Sequence, residues 1–228
     1  MLLAIDTATS TVGLALYGGQ AVLAELTWRA VQKHTVTLMP NLVQMLCQQG
    51  LTVAHLTGVA VALGPGSFTG LRVGLTTAKG LALARGLPLV GIPTLDIVAQ
   101  SCLFPVSGRP LSLQAVLEVG RGRFCVASYR CSEGRWRREG DYQVVGPDQM
   151  GAGVCEPTYF CGEMDESVEQ TLRERLGGLA IIAPVAARLR RPGYLAQLGW
   201  QRLIRGEGDD PATLSPIYLH YTPRERSP

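Results

Sequence analysis

Lysine is nearly missing from this chain: of its 21 basic residues only Lys33 and Lys79 are lysine, and the other nineteen are arginine. Charge as a whole is scarce, at 17% of 228 residues against 46% hydrophobic, which excludes a disordered chain held open by charge. No apolar run reaches the roughly 18 residues of a membrane span. The opening Met1-Leu2-Leu3-Ala4-Ile5-Asp6 has no basic start and meets an acid at once, so neither export nor membrane insertion is expected. The six cysteines, Cys47, Cys102, Cys125, Cys131, Cys155 and Cys161, contain no C-x-x-C pair. Several lie in apolar runs as free buried thiols do, which fits a reducing cytoplasm. Three histidines (His34, His55, His220) without H-x-x-x-H or H-E-x-x-H spacing predict no metal site. The chain also lacks G-K-[ST], a G-x-S-x-G elbow and a G-x-G-x-x-G after a strand, which excludes a Walker loop, an α/β-hydrolase nucleophile and a dinucleotide fingerprint. A net charge of +3, with acids interleaved among the arginine clusters, gives no nucleic-acid footprint.

What is present is glycine (27) and proline (14), which predicts many tight turns between short elements. Residues 1–105 hold five basic and three acidic side chains, and residues 106–228 hold sixteen and fifteen. The composition therefore divides near Pro105 into an N-terminal lobe, 1–105, and a degenerate C-terminal lobe, 106–228, whose last segment is expected to pack back on the first. Within the first lobe, strands are expected over 2–6, 11–17 and 20–28, with Gly18-Gly19 as a two-residue hairpin. A helix over 35–49, an apolar strand over 58–63, a helix over 71–85, a strand over 89–92 and a helix over 94–102 follow. Beyond Pro105 the meander restarts with strands over 112–119, 124–130 and 136–145. A weak-signal region precedes a helix over 165–176, a strand over 179–183 and a helix over 194–205. Two α/β lobes, each opening with a β-meander, predict a duplicated unit.

Three segments carry chemistry. Asp6-Thr7-Ala8-Thr9 at the end of the first strand sets a carboxylate and two hydroxyls toward a phosphate or hydrated magnesium, or else closes a turn on its own backbone. Gly64-Pro65-Gly66-Ser67-Phe68-Thr69-Gly70-Leu71-Arg72 joins a strand to a helix N-terminus. Its free N–H groups suit an anion, whereas capping by Ser67 or Thr69 with close glycine packing is the structural alternative. Together Asp6, Thr7, Thr9, Gly66, Ser67, Thr69 and Gly70 make a candidate phosphate site. On the helix over 35–49, Val36, Leu38, Met39, Leu42, Val43, Met45, Leu46 and Cys47 cover an arc of about 200°, whereas one core-facing stripe needs only about 100°. Part of that arc should meet another lobe or another protein. Gly74, Ala78, Gly80, Ala82 and Ala84 on the next long helix would let a second helix approach, as in half of a four-helix interface.

Ile5-Asp6-Thr7-Ala8-Thr9, His34-Thr35 with Leu38 and Pro40, Gly64 to Arg72 with Gly74, Lys79-Gly80-Leu81-Ala82, Gly91-Ile92-Pro93-Thr94-Leu95 and Pro216-Ile217-Tyr218-Leu219 together resemble the TsaB (YeaZ) family. The resemblance spans essentially the whole chain and is strongest over residues 1–100. It implies a two-lobed actin/Hsp70-like (ASKHA, ribonuclease H-like) α/β fold of the peptidase M22-like group. It further implies a non-catalytic subunit that scaffolds and activates the catalytic TsaD. With TsaE, that complex uses ATP and threonylcarbamoyl-adenylate to modify N6 of adenosine 37 in tRNAs reading codons that begin with A, and the chain reaches tRNA through the complex. No tightly bound cofactor is expected on this chain, and position 8 is alanine where active ATPases of the fold carry glycine. Where family members carry Asp-Ala-Arg-x-Gly, this chain has Glu118-Val119-Gly120-Arg121-Gly122. The expected partner interface, shared by TsaD and by a homodimer of the free chain, comprises His34, Leu38, Met39, Leu42, Val43, Met45, Leu46, Leu71, Gly74, Leu75, Ala78 and Ala82. Leu42→Asp is expected to abolish partner binding with the fold intact. The alternative is an ATP-hydrolysing or phosphotransferring enzyme of the same fold, using Asp6, Thr7, Ser67 and Thr69.

Overall fold

Short apolar strands with a two-residue alternation have to be covered on both faces, and the helices of this chain do so unequally for its two sheets. The computed structural model describes residues 1–30, 33–102 and 112–219, so the division expected near Pro105 lies outside the described residues. The first sheet holds β1 (Leu2–Asp6), β2 (Thr11–Tyr17), β3 (Val22–Arg29), β4 (Gly58–Gly64) and β5 (Leu89–Pro93), in the order β3-β2-β1-β4-β5. β1 runs antiparallel to β2 and parallel to β4, so the meander gives way to parallel crossovers at β1. The second sheet holds β6 (Ser112–Gly120), β7 (Arg123–Ser132), β8 (Arg135–Val145), β9 (Thr158–Gly162) and β10 (Ala180–Ile182). Its order, β10-β9-β6-β7-β8, is the first order again, with β6 antiparallel to β7 and parallel to β9.

The alternation along β1 decides what each helix covers. Leu3 and Ile5 face α1 (His34–Gln48) and α2 (Phe68–Arg85), where Leu38, Leu42, Met45, Leu46, Leu75, Ala78 and Ala82 close one core. Leu2 and Ala4 face the other way, against Leu195 and Ala196 of α5 (Pro192–Leu203). The last helix thus packs on the first sheet, and a Cβ on its Gly199 would come 2.5 Å from that of Ala60. α3 (Thr94–Gln100) is shared: Ile97 joins the Leu2 core, while Leu95, Val98 and Ala99 pack on Leu113, Ala115 and Leu117 of β6. On the far side of the second sheet, Val168 and Leu172 of α4 (Glu166–Leu176) pack on Phe124 and Phe160.

Three sequence expectations change. β9 falls in the weak-signal region: it is five residues, Thr158–Gly162, and its pairing with β6 and β10 is non-local. The β2–β3 turn spans Gly18 to Ala21, closed by Gly18 N–H to the Ala21 carbonyl (2.9 Å), so β3 begins at Val22. Finally α2 starts at Phe68, because the Ser67 hydroxyl accepts from Gly70 N–H (3.3 Å) and caps it.

Between α3 and the second sheet lies a half-buried carboxyl. Asp96 accepts from the Tyr129 hydroxyl (2.6 Å). Burial raises its pKa, partly opposed by that hydrogen bond and by the Arg138 charge. The neighbouring Tyr142 hydroxyl is buried without a partner, and burial pushes its pKa up to about 12. A raised carboxyl pKa favours the folded state most below the ordinary carboxylate value, and that contribution is lost as pH rises through the folded value. Asp96→Asn should therefore gain stability relative to the parent between about pH 4 and pH 7. Urea unfolding at both ends checks this: a difference between the two proteins that does not change with pH refutes it.

Candidate functional site

β1 and β2 end in a turn that the sequence offers as a phosphate or magnesium site, and the structure fills it from within. Asp6 is 1% exposed and Arg190 4%. The guanidinium takes both Asp6 oxygens, Oδ2 from Nε and Oδ1 from Nη2 at 3.3 Å. Nη2 also donates to the Thr9 hydroxyl (3.1 Å) and the Thr11 carbonyl (3.1 Å), and Nη1 to Glu163 (3.1 Å). Burial works against the charge on Arg190, and the Asp6 and Glu163 carboxylates more than offset it, holding its pKa above the ordinary value. The remaining hydroxyls are occupied too: Thr9 donates to Glu163 (2.6 Å) and Thr7 to the Gly70 carbonyl (2.7 Å). Thr69 is exposed on the first turn of α2.

The glycines of the Gly64–Arg72 stretch serve close packing. A Cβ on Gly66 would stand 2.3 Å from the Ala8 carbonyl oxygen, one on Gly70 2.2 Å from that of Thr7, and one on Gly74 2.1 Å from the Thr7 hydroxyl. α2 is thereby pressed against the β1–β2 turn, and Ser67 N–H bonds the Ala8 carbonyl (2.6 Å). Two segments far apart in sequence meet here, because Ile217 N–H bonds the Leu63 carbonyl (2.7 Å) and Tyr218 stacks on Phe68 at 5.2 Å between centroids. Arg72 lies over the Phe68 ring and donates to the Tyr218 hydroxyl (3.2 Å). A cleft of about 790 Å³ opens between the lobes, with Gly66, Ser67 and Phe68 on one wall and Glu118, Gly120 and Arg121 on the other. Among the described residues no group of three or more His, Cys, Asp or Glu is placed to hold a metal.

The expected interface residues divide by burial. Leu38, Leu42, Met45 and Leu46 of α1, and Leu71, Gly74, Leu75, Ala78 and Ala82 of α2, are covered by the chain's own core. His34 is buried as well, with Nε2 donating to the Thr9 carbonyl (2.8 Å), which ties α1 to the turn. These ten have their side chains or Cα atoms inside the lobe, so they support the helix pair from within and do not present it. Leu42→Asp is corrected accordingly: it would put an unpaired carboxylate into the core and unfold the lobe. Met39 and Val43 are exposed, and with Val36 and Cys47 they form one stripe on α1. The wide apolar arc is real, and about half of it is bare.

A sheet order used twice, with helices around an interlobe cleft, defines a two-lobed actin/Hsp70-like protein. Residues 25–151 match the family model described as TsaD: tRNA N6-adenosine threonylcarbamoyltransferase. The tRNA threonylcarbamoyladenosine biosynthesis protein TsaB of Bacillus subtilis is 31% identical over 98% of this chain and 96% of its own length. That of Haemophilus influenzae is 39% identical over 96% and 92%. The solved structure of YeaZ from Pseudomonas aeruginosa superposes with a TM-score of 0.78 at 24% identity, covering 96% of this chain and 99% of that one. The chain belongs to the TsaB (YeaZ) family of tRNA threonylcarbamoyladenosine biosynthesis proteins. No helix among the described residues is long and apolar enough to cross a membrane.

Proposed function

We propose that this chain is a non-catalytic subunit that binds and activates TsaD in the transfer of threonylcarbamoyl to N6 of adenosine 37 of tRNA. ATP, threonylcarbamoyl-adenylate and tRNA are handled by the assembled complex with TsaE, and the free chain pairs with itself through the face that TsaD later takes. The observation that carries this reading is the bare half of the α1 arc. Val36 (65% exposed), Met39 (42%) and Val43 (57%) follow one another at one-turn spacing, with Cys47 next in line. α2 adds a matching face of Thr76, Gly80 and Leu83. Gly80 lies in the helix interior, and apart from its chain neighbours and its own helix backbone no atom of the described residues comes within 4 Å of where its Cβ would stand. An interior helix glycine costs about 1 kcal/mol relative to alanine, and no contact among the described residues calls for it. A partner helix laid across this face would need that close approach.

Size-exclusion chromatography with light scattering tests the assignment. The chain alone should run as a homodimer and convert to a one-to-one species when TsaD is added. Independent elution of the two proteins, even with TsaE and ATP present, would sink the scaffold reading.

A further inference from the structure

The turn after β1 is built like a cation site. Asp6 offers two carboxylate oxygens, Thr9 a hydroxyl, Thr11 a backbone carbonyl and Glu163 a carboxylate oxygen, and all of them surround one guanidinium. This is the oxygen-rich donor set of a hard cation. A carboxylate as deeply buried as Asp6 also needs a positive partner, since stranding it costs several kcal/mol. Nucleotide-binding proteins of this fold bring magnesium and phosphate to such a turn, and the residues here do not fit them. The guanidinium already contacts every oxygen named, and a second cation placed among them would meet its charge at contact distance in a buried site.

The placement of these groups along the chain adds a second consequence. Asp6, Thr9 and Thr11 belong to the first sheet and its turn, and Arg190 stands two residues before α5, which packs on that sheet. Glu163 follows β9 directly and belongs to the second lobe. It is reached from the first lobe twice, by Arg190 Nη1 (3.1 Å) and by the Thr9 hydroxyl (2.6 Å). Asp6 and Arg190 therefore form a fixed post in the first lobe, and Glu163 is the part of the second lobe fastened to it. Swinging the lobes apart would break both bonds to Glu163 and leave part of the guanidinium unsatisfied in a dry site.

We infer that Arg190 is a built-in cation that takes the place of an external one at the Asp6 turn and, through Glu163, holds the two lobes at one angle without bound metal or nucleotide. The cleft of this chain is then a rigid feature, set by an ion pair encoded in the sequence.

Exposed Cys155, just before β9, and Gln20→Cys in the exposed β2–β3 turn, away from the α1 stripe, place one label on each lobe. With Cys47→Ser and Cys131→Ser as background and the labelled chain diluted in unlabelled chain, spin labels on this pair report the interlobe distance by pulsed electron resonance. The parent should give one narrow distance that magnesium and ATP leave in place. Glu163→Ala should broaden the distribution about two-fold, because removing the oxygen that takes both interlobe bonds releases the lobe while the Asp6 to Arg190 pair stays intact. Arg190→Ala should broaden it further, and millimolar ethylguanidinium, but not magnesium, should narrow it again. Parent-like distributions in both variants would overturn the inference, as would a parent distance that moves on adding magnesium and ATP, or rescue of Arg190→Ala by magnesium. Should Arg190→Ala fail to fold, Glu163→Ala alone decides, since the Glu163 side chain is 26% exposed and lies at the edge of the ion-pair cluster.

Discussion

Val43→Asp is expected to weaken binding to TsaD by about 30-fold or more, the roughly 2 kcal/mol that separates a hot-spot residue from its neighbours. The melting temperature should stay within a degree or two of the parent, because Val43 is 57% exposed and no core contact is lost. The effect comes from setting a carboxylate in the middle of the Val36, Met39, Val43 stripe, where a partner helix would have to dehydrate it without a counter-charge. Homodimerisation should fall in parallel if the free chain uses the same face. Titration calorimetry against TsaD, alongside a thermal melt, checks both halves of the expectation. Parental affinity in Val43→Asp and in Met39→Asp together would remove α1 from the interface. Leu42→Asp is the contrasting variant: one residue away along the helix, its side chain belongs to the core with Leu3 and Ile5, so lost binding there would report unfolding.

Asp6→Ala should lower the unfolding free energy by about 3–5 kcal/mol, since it leaves a buried guanidinium without its main partner. Glu163 and Thr9 remain, but neither grips Arg190 with two oxygens as Asp6 does. The double variant Asp6→Leu with Arg190→Met should recover much of the loss, because a packed apolar pair can replace a buried ion pair at little cost. Urea denaturation of the three proteins tests the coupling. An ATP-hydrolysing enzyme relying on Asp6 would behave otherwise, losing turnover in Asp6→Ala at unchanged stability. A loss of 1 kcal/mol or less would mean that the Asp6 to Arg190 pair does not hold this turn together.

Much of the fold was legible because its signals are local. The buried runs of β1 and β4, the Gly86 stop of α2 and the restarted meander after residue 111 each depend on neighbours within a few residues. β9 was illegible for the opposite reason: Thr158 to Gly162 becomes a central strand only because β6 and β10 lie on either side of it. The site divides in the same manner. Asp6, Thr9, Ser67 and Gly70 stood out as a turn and a cap, and they are one. Arg190, which settles what that turn binds, sits in an arginine-rich stretch indistinguishable from a solvated surface, 184 residues from Asp6. Only its buried contact with a carboxylate separates it from Arg191, which is itself exposed where it pairs with Glu25. The Asp6 to Arg190 pair left no signal in periodicity or spacing that could have exposed it.

The sequence by itself determined the family, through the motifs that resemble TsaB, and, because composition, periodicity and turn chemistry act over short range, the two-lobed plan and the presence of an apolar arc on α1 wider than one core stripe. Tertiary structure alone decided which half of that arc is bare, since burial depends on what β1, β4 and α2 bring to the other side. It also decided that the carboxylate after β1 faces an arginine, because two charges so distant along the chain are paired only by the packing that brings α5 back onto the first sheet.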